Sequence, residues 1–283
     1  MTRRIALAAA LVLALAPQTF AGGTWHKSVA AAQKAAKEKN QFILVDMFAE
    51  WCGWCHRFER EVFPSEAFQK ATDDIVLLRL DTEDKKEGSE FQRKYGVTSL
   101  PTFLLLTPDL ALAGSIRGYA PPSQFVQMLA ETRSKHDAFQ KRVKNEASLA
   151  KDYPARLELA KEFVSRSAYG ESEMRLKKLT AEKGVPASIR DEAYYQLAFT
   201  YALQNKYADA QKTIKALTAL STRGDAVERA KLLAGQIYMA QGNILGAANE
   251  LRMFKKTYPG SPHLATVDAV LPDLERRLAG NTN

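Results

Sequence analysis

The sequence predicts an α/β domain with a mixed central sheet and helices on both faces, followed by an all-α domain. Two observations lead to this prediction. Residues 25 to about 120 alternate helical patterns with short apolar or β-branched runs, whereas only helical periodicity follows from about residue 145. A length of 283 residues is sufficient for two ordinary domains.

The first half predicts the element order α-β-α-β-α-β-β-α. "WHKSVAAAQKAAKEKN" has the pattern of an amphipathic helix that ends at Asn40, and "FILVDMFA" after it has the composition of a strand buried on both faces. Further strands are predicted at 74–81 and 102–107, and "PDLALAG" predicts a turn and a fourth strand antiparallel to the third. Helices are predicted after the cysteines, in "SEFQRKYGV" up to Gly96, and from the prolines at 121–122. Such an order gives a mixed sheet covered on both faces.

The second half contains a weak internal repeat. Residues 193–217 align with 230–254, so that Ala198, Tyr201 and Ala210 correspond to Gly235, Tyr238 and Ala247. Small residues at these positions allow paired helices to approach closely. The pattern resembles tetratricopeptide repeats, with residues 156–179 as a degenerate earlier unit, and an ordinary helical bundle is the alternative.

Residues 1–21 have the pattern of a secretory signal peptide. Two arginines at positions 3 and 4 precede an apolar run, and small residues follow at Ala21 and Gly22. The run is short for a membrane span, so we expect cleavage after Ala21 and secretion across the inner membrane into the periplasm. An uncleaved membrane anchor is the alternative.

The charge pattern argues against a nucleic-acid partner. The formal net charge is +8, but the basic residues are scattered and interleaved with acidic ones, as in "KKLTAEK" and "FERE". We interpret them as solvated faces.

Both cysteines lie in "WCGWCH", and the spacing fits two chemistries. Cys-x-x-Cys is the spacing of a redox dithiol, whereas Cys-x-x-Cys-His also attaches a c-type haem with His56 as an axial ligand. A structural disulfide at this spacing closes a very small loop and stabilises little, so the pair is expected to be reactive. The haem alternative is weaker because His56 falls within a predicted helix on a strand-rich domain.

The flanking pattern places Cys52 at the N-terminus of a helix, directly after a buried strand. Unpaired backbone N–H groups and the helix dipole stabilise a thiolate there, which predicts Cys52 as the nucleophile. Cys55, one turn later and more covered, suits the resolving role.

Three motifs, "VDMFAEWCGWC", "GVTSLPTFLLL" and "GSIRGY", occur in that order within residues ~25–135. With these motifs, the region resembles the thioredoxin superfamily. The segment "EREVFPSEAFQKATDDIVLLRLDTED" is similar to an exported group that includes soluble domains of membrane thiol–disulfide interchange proteins. We therefore expect a thioredoxin-like domain at 22–140 and a tetratricopeptide-like domain at 141–283.

The resemblance implies a role for each matched residue. Cys52 would attack a substrate disulfide, Cys55 would resolve the mixed disulfide, and Asp46 would be a buried acid that accepts the Cys55 proton through water. Pro101 would be a cis-proline that presents the Leu100 backbone to an extended substrate. The remaining residues predicted to bind substrate are Trp51, Gly53, Trp54 and Gly118, where the two tryptophans are either docking surface or simple cover.

The sequence therefore predicts an exported thiol–disulfide oxidoreductase, a reductase or isomerase, that uses no metal and no cofactor besides the Cys52–Cys55 disulfide. Gly53-Trp54 replaces the Gly-Pro of ordinary thioredoxin, which is expected to raise the reduction potential and leaves the direction of electron flow open. The expected partners are protein disulfides or dithiols, a membrane thiol–disulfide interchange protein as electron donor, and another protein bound by the helical repeats. The rival prediction is a docking module in which the helical repeats do the main work.

Overall fold

The computed structural model describes residues 18–20 and 23–280. The predicted signal peptide lies outside the described residues except for 18–20. The chain divides into two compact units, Met1–Asp137 and Ala138–Asn283, and each is described by itself. Within the described part of the chain, no helix is both long and apolar enough to cross a membrane.

The first unit is built on a six-stranded mixed sheet with the order β1-β2-β4-β3-β5-β6. β2 and β3 both run parallel to β4, whereas the β1–β2, β3–β5 and β5–β6 pairs are antiparallel. The strands are β1 (Gln18–Phe20), β2 (Gly23–His26), β3 (Phe42–Phe48), β4 (Ile75–Asp81), β5 (Thr102–Leu106) and β6 (Leu112–Arg117). The predicted mixed sheet is confirmed.

Helices cover both faces of this sheet, as predicted. They are α1 (Val29–Lys39), α2 (Gly53–Glu61), α3 (Glu66–Ala71), α4 (Glu87–Lys94) and α5 (Pro122–Lys144), which continues beyond the first unit. Apolar residues of α1 and α4 join one buried cluster, and those of α2, α3 and α5 join the cluster on the other face. Asn40 ends α1 with a left-handed backbone (φ 51°), as the sequence predicted.

The helix predicted to begin at Trp25 is wrong at its N-terminal end. Trp25 and His26 belong to β2, which pairs with Leu77 and Leu78 of β4, and α1 begins only at Val29. The indole of Trp25 is 1% exposed and packs against Phe63, with ring centroids 4.8 Å apart. Burial of this large ring against a residue distant in sequence outweighs the local helical pattern.

The turn and the fourth strand that "PDLALAG" predicts are both confirmed. "PDLALAG" supplies the turn, in which Leu110 has a left-handed backbone (φ 60°), and β6 runs from Leu112 to Arg117. Leu110 therefore cannot continue an extended strand. β6 pairs antiparallel with β5, as predicted.

The second unit is helical throughout its described residues, apart from connecting turns, which confirms the predicted all-α region. A 3₁₀ turn at Glu146–Leu149 precedes α6 (Tyr153–Ser165), α7 (Tyr169–Ala181), α8 (Ala187–Leu203), α9 (Tyr207–Leu220), α10 (Asp225–Ala240), α11 (Ile244–Thr257) and α12 (Leu264–Gly280).

Successive helices of this unit pair as α6–α7, α8–α9 and α10–α11, and small buried residues recur in the pairs. Ala160, Ala198 and Gly235 occupy the first helix of each pair, and a Cβ on Gly235 would stand 3.1 Å from Leu251 Cδ2. The close approach expected from the repeat is therefore present, while membership of the tetratricopeptide family stays a prediction.

Candidate active site

The two cysteines lie where β3 gives way to α2. Cys52 is the N-cap of α2, and its N–H donates to the carbonyl of Ala49 (3.0 Å) to close the turn after the strand. Cys52 and Cys55 form a disulfide with their Cα atoms 5.2 Å apart. The backbone N–H of Cys55 donates to Cys52 Sγ at 3.2 Å. The same N–H is positioned to stabilise a thiolate on Cys52 after reduction.

The sulfurs are covered, whereas the tryptophans beside them are not. Cys52 is 4% exposed and Cys55 is 1% exposed, so Cys55 is slightly the more covered. Trp51 and Trp54 are 71% and 55% exposed. Gly53, between them, is exposed and a Cβ there would meet nothing within 4 Å. A partner that reaches the disulfide therefore meets exposed indole surface beside it.

Strand register brings Leu100, Pro101 and Gly118 to the edge of the sheet from which the cysteines emerge. Thr102 pairs with Met47 near the end of β3 and with Arg117 of β6, so Pro101 and Gly118 follow at the same edge. The Leu100–Pro101 peptide bond is cis, and the Gly118 N–H donates to the Pro101 carbonyl at 2.9 Å. Gly118 adopts a left-handed backbone (φ 80°), which glycine accepts without strain.

The backbone of Leu100 is available at this edge. None of the described residues hydrogen-bonds to its N–H or its carbonyl, and its side chain is half-buried against the apolar cluster under α1 and α4. An extended segment of another protein could therefore pair with it as an added strand.

Asp46 is buried within the central strand, 1% exposed. Residues of β3 alternate between the two faces of the sheet, and Asp46 lies on the α2 face together with Leu44. Its register partners are Arg79 on β4 and Phe103 on β5. The position predicted for a buried acid behind the dithiol is therefore occupied by a desolvated carboxyl group.

Two charged side chains act on Asp46. Arg79 Nε lies 3.2 Å from Asp46 Oδ2, and Arg79 Nη2 donates to Glu59 of α2. Burial raises the pKa of Asp46 to about 7, Arg79 opposes this rise, and the negative charge of Glu59 adds to it. None of the described polar groups hydrogen-bonds to Asp46 Oδ1. Such a carboxyl can exchange a proton near neutral pH.

A cleft of about 380 Å³ adjoins this charged group. Arg79 and Glu59 line it together with His56, which is about one-third exposed. His56 Nε2 lies 2.8 Å from the Glu50 carbonyl, and Nδ1 lies 3.6 Å from Glu59 Oε1. His56 thus sits inside α2, as predicted, with both ring nitrogens next to oxygen atoms.

The sequence did not identify three residues near the cysteines, namely Arg79, Glu59 and Tyr119. Arg79 is the one charged residue within the apolar run "IVLLRL". A charged residue in such a run indicates that an acidic partner lies close to it in the interior. Glu59 lies four residues after Cys55 and could be placed on the same helix. The Tyr119 hydroxyl donates to Glu61 of α2, and no sequence signal predicts this contact, because it depends on the path of the chain after β6.

A family model described as a thioredoxin-like domain matches residues 29–133. Curated relatives include the thiol:disulfide interchange protein DsbD of Pasteurella multocida, 33% identical over 105 residues, which are 36% of this chain and 18% of that protein. DsbD of Pseudomonas fluorescens is 35% identical over 116 residues, 39% of this chain and 20% of that protein. The match thus spans about a fifth of the length of these relatives.

Solved structures similar to this chain include a DsbH oxidoreductase, with 15% identity and a TM-score of 0.36 over 47% of this chain and 95% of that one. The oxidised DsbD C-terminal domain of Neisseria meningitidis has 18% identity and a TM-score of 0.33, over 37% and 91%. At these TM-scores the structural matches carry no weight of their own. The family model and the DsbD relatives do carry weight. From them we conclude that residues 29–133 form a thioredoxin-like domain of the disulfide oxidoreductase type, which contains the Cys52–Cys55 pair.

Proposed function

We propose that this protein is an exported thiol–disulfide oxidoreductase that reduces or isomerises disulfides of other proteins. The observation that supports the proposal most directly is the Cys52–Cys55 disulfide at the N-terminus of α2, with a desolvated acid on the strand before it. Its redox group is the pair of sulfurs itself, so we propose no further cofactor.

The reaction transfers two electrons from the dithiol to a substrate disulfide. The Cys52 thiolate attacks one substrate sulfur, a mixed disulfide forms, and the other substrate sulfur leaves as a thiolate that takes up a proton. Cys55 then loses its proton and attacks Cys52 Sγ, which breaks the mixed disulfide and releases the reduced substrate. The protein is left oxidised, in the form described above.

In this proposal Asp46 takes the proton that Cys55 loses. A carboxyl group with a pKa of about 7 is present partly as the base at neutral pH, which suits proton transfer in either direction. We propose that a water molecule carries this proton between Cys55 and Asp46.

We further propose that the substrate binds at the edge formed by Leu100, Pro101 and Gly118. Main-chain hydrogen bonds to the free Leu100 backbone would orient an extended segment, and this mode accepts many sequences. Trp51 and Trp54 would contact the substrate chain near its reactive cysteine.

Insulin reduction tests the activity. The wild-type protein, supplied with dithiothreitol, is expected to reduce the interchain disulfides well above the rate with dithiothreitol alone, and Cys52→Ser is expected to return to that background. Cys55→Ser retains a cysteine but cannot resolve the mixed disulfide, so it serves as the matched control for the two-cysteine mechanism. Equal rates in wild type and Cys52→Ser would reject the proposal.

The direction of electron flow is tested by the reduction potential. We propose a reductase or isomerase because Gly-Trp, not a histidine-containing dipeptide, separates the cysteines. A potential above about −150 mV, near the strongly oxidising end of the known range, would reject this direction.

We propose that the protein works in the periplasm with a membrane thiol–disulfide interchange protein as its electron donor, and that the helical unit recruits another protein. Mass spectrometry of the exported protein should show a chain that begins at Gly22. A mixed disulfide trapped in cells with Cys55→Ser should contain a protein substrate or the membrane donor. Recovery of the intact N-terminus from the membrane fraction would reject export in the soluble form.

Two alternatives receive less support. A docking module in which the helical unit does the main work would not need both cysteines. A c-type haem at Cys52 and Cys55 would need His56 as a ligand, yet His56 lies within α2 and its Nε2 lies 2.8 Å from the carbonyl of Glu50, which precedes that helix. A Soret band in protein from a host that matures haem would favour that alternative.

A further inference from the structure

Two aromatic rings lie side by side next to the disulfide. Trp54 stands between the cysteines and Tyr119 follows Gly118, and their ring centroids are 5.3 Å apart with the planes tilted by 33°. Trp54 is about half exposed, and Tyr119 is partly exposed. We refer to these two rings as the aromatic shelf.

The aromatic shelf is held in place by two charged residues of α2. The guanidinium of Arg57 lies 4.6 Å from the Tyr119 centroid and 5.5 Å from that of Trp54. Arg57 Nε donates to Glu61 Oε1 at 2.8 Å, and the Tyr119 hydroxyl donates to the other oxygen of Glu61. Because the rings are fixed before a partner arrives, contact with them costs little additional ordering.

We infer that the aromatic shelf binds one aromatic or large apolar side chain that flanks the redox cysteine of a protein substrate. The inference rests on the proposed function. In the mixed disulfide the substrate chain is bonded to Cys52, so the substrate residues that flank its cysteine must lie on the surface next to both cysteines. The shelf offers two ring faces there, and stacking on rings favours an aromatic side chain. Trp54 and Tyr119 would then determine specificity, while Arg57 and Glu61 would position the rings.

Charge near the aromatic shelf argues against a basic neighbour in the substrate. Two guanidinium groups, those of Arg57 and Arg60, act on the carboxylate of Glu61 beside the shelf, and Arg57 also lies over both rings, so a substrate cation would meet these two positive charges. The charge next to Trp51 is negative instead, since its indole N–H donates to the Glu83 carboxylate at 3.4 Å. The two tryptophans beside the disulfide therefore offer different environments, and Trp51 is a matched control for Trp54.

The test is a single-turnover reaction of the pre-reduced protein with symmetric disulfides of a short peptide. The residue next to the peptide cysteine is Phe, Ser or Lys, and each turnover oxidises Cys52 and Cys55 while it releases two peptide thiols, which are quantified after acid quench. We expect the Phe peptide to react about fivefold faster than the Ser peptide, as one ring–ring contact predicts. The Lys peptide should be the slowest.

The variants separate the shelf from general effects on the fold. Trp54→Ala and Tyr119→Ala should bring the Phe-to-Ser rate ratio close to one, and the double variant should lower it no further. Tyr119→Phe keeps the ring and should keep most of the ratio, whereas Trp51→Ala should slow both peptides alike and leave the ratio unchanged.

Any of three results would overturn the inference: a Phe-to-Ser rate ratio near one in the wild type, a ratio that both alanine variants retain, or a preference for the Lys peptide. If turnover still depends on Cys52 in such a case, the proposed function stands. Absence of Cys52-dependent turnover with all three peptides and with insulin overturns both.

Discussion

The central strand β3 carries one carboxyl group, that of Asp46. Asp46 lies among apolar residues on the α2 face of β3, and burial raises its pKa to about 7 despite Arg79 beside it. The sequence was sufficient to predict this burial. Asp46 lies within an apolar run of strand length, and a strand with this composition is buried on both faces.

The pKa of Asp46 has a consequence for stability. Since the pKa is raised in the folded protein from 3.8 to about 7, the folded state binds more protons than the unfolded state between these values, and stability falls as pH rises through this window. Asp46→Asn removes the titration, so it should increase the free energy of unfolding of the oxidised protein at pH above 7 by a few kcal/mol, at about 1.4 kcal/mol per pKa unit.

Urea unfolding of the two proteins at several pH values measures this difference. It should shrink toward zero as the pH falls toward 4. A difference that does not change with pH would mean that Asp46 does not titrate in this range.

Arg79 and Glu59 should shift the titration of Asp46 in opposite directions. Arg79→Gln removes the positive charge that lowers the pKa of Asp46, so the pKa should rise above its wild-type value. Glu59→Gln removes the negative charge that raises it, so the pKa should fall, in each case by about one unit. Carbon-detected NMR of the Asp46 carboxyl measures both shifts, and shifts of the same sign would contradict the arrangement of charges described here.

At the scale of elements, the strands and helices with strong local patterns were predictable. β3, β4 and β5 are short apolar runs bounded by turns, and α1 ends at Asn40 as its sequence indicates. β2 was not predictable, since Trp25 lies in an Ala- and Lys-rich context and its burial depends on Phe63 and Phe68 far along the chain. The same reason applies within the site, where the cysteines and Asp46 follow from local pattern but Tyr119 does not.

Trp25 should anchor β2 to the rest of the sheet. Trp25→Ala replaces a ring that is 1% exposed by a cavity, and we expect it to lower the free energy of unfolding by about 3–5 kcal/mol. Trp51→Ala, at an indole that is 71% exposed, is the control and should change it by less than about 0.5 kcal/mol. Guanidinium unfolding compares the two, and similar losses in both would show that β2 contributes little to stability.

At the scale of the whole molecule, two compact units have different architectures and separate hydrophobic clusters. Those of the first unit lie on the two faces of the sheet, and those of the second lie between its helices. The sequence predicted this division from the loss of strand patterns alone. The sequence could not predict a partner for the helical unit, because the residues on its exposed helix faces form no motif that identifies one.

Because the helical unit has its own hydrophobic clusters, we expect a substitution in its core to weaken this unit and to leave the activity of the dithiol unchanged. Leu217 of α9 is fully buried, and Leu217→Ala should lower the free energy of unfolding of this unit by about 2–5 kcal/mol. Leu220→Ala, on the same helix at a side chain that is 55% exposed, should have almost no effect. Thermal melts followed by far-ultraviolet circular dichroism measure the loss. At room temperature, where both variants remain folded, insulin reduction should match the wild type. Loss of insulin reduction in a folded Leu217→Ala variant would show that the helical unit takes part in the chemistry itself, beyond its proposed recruitment of a partner.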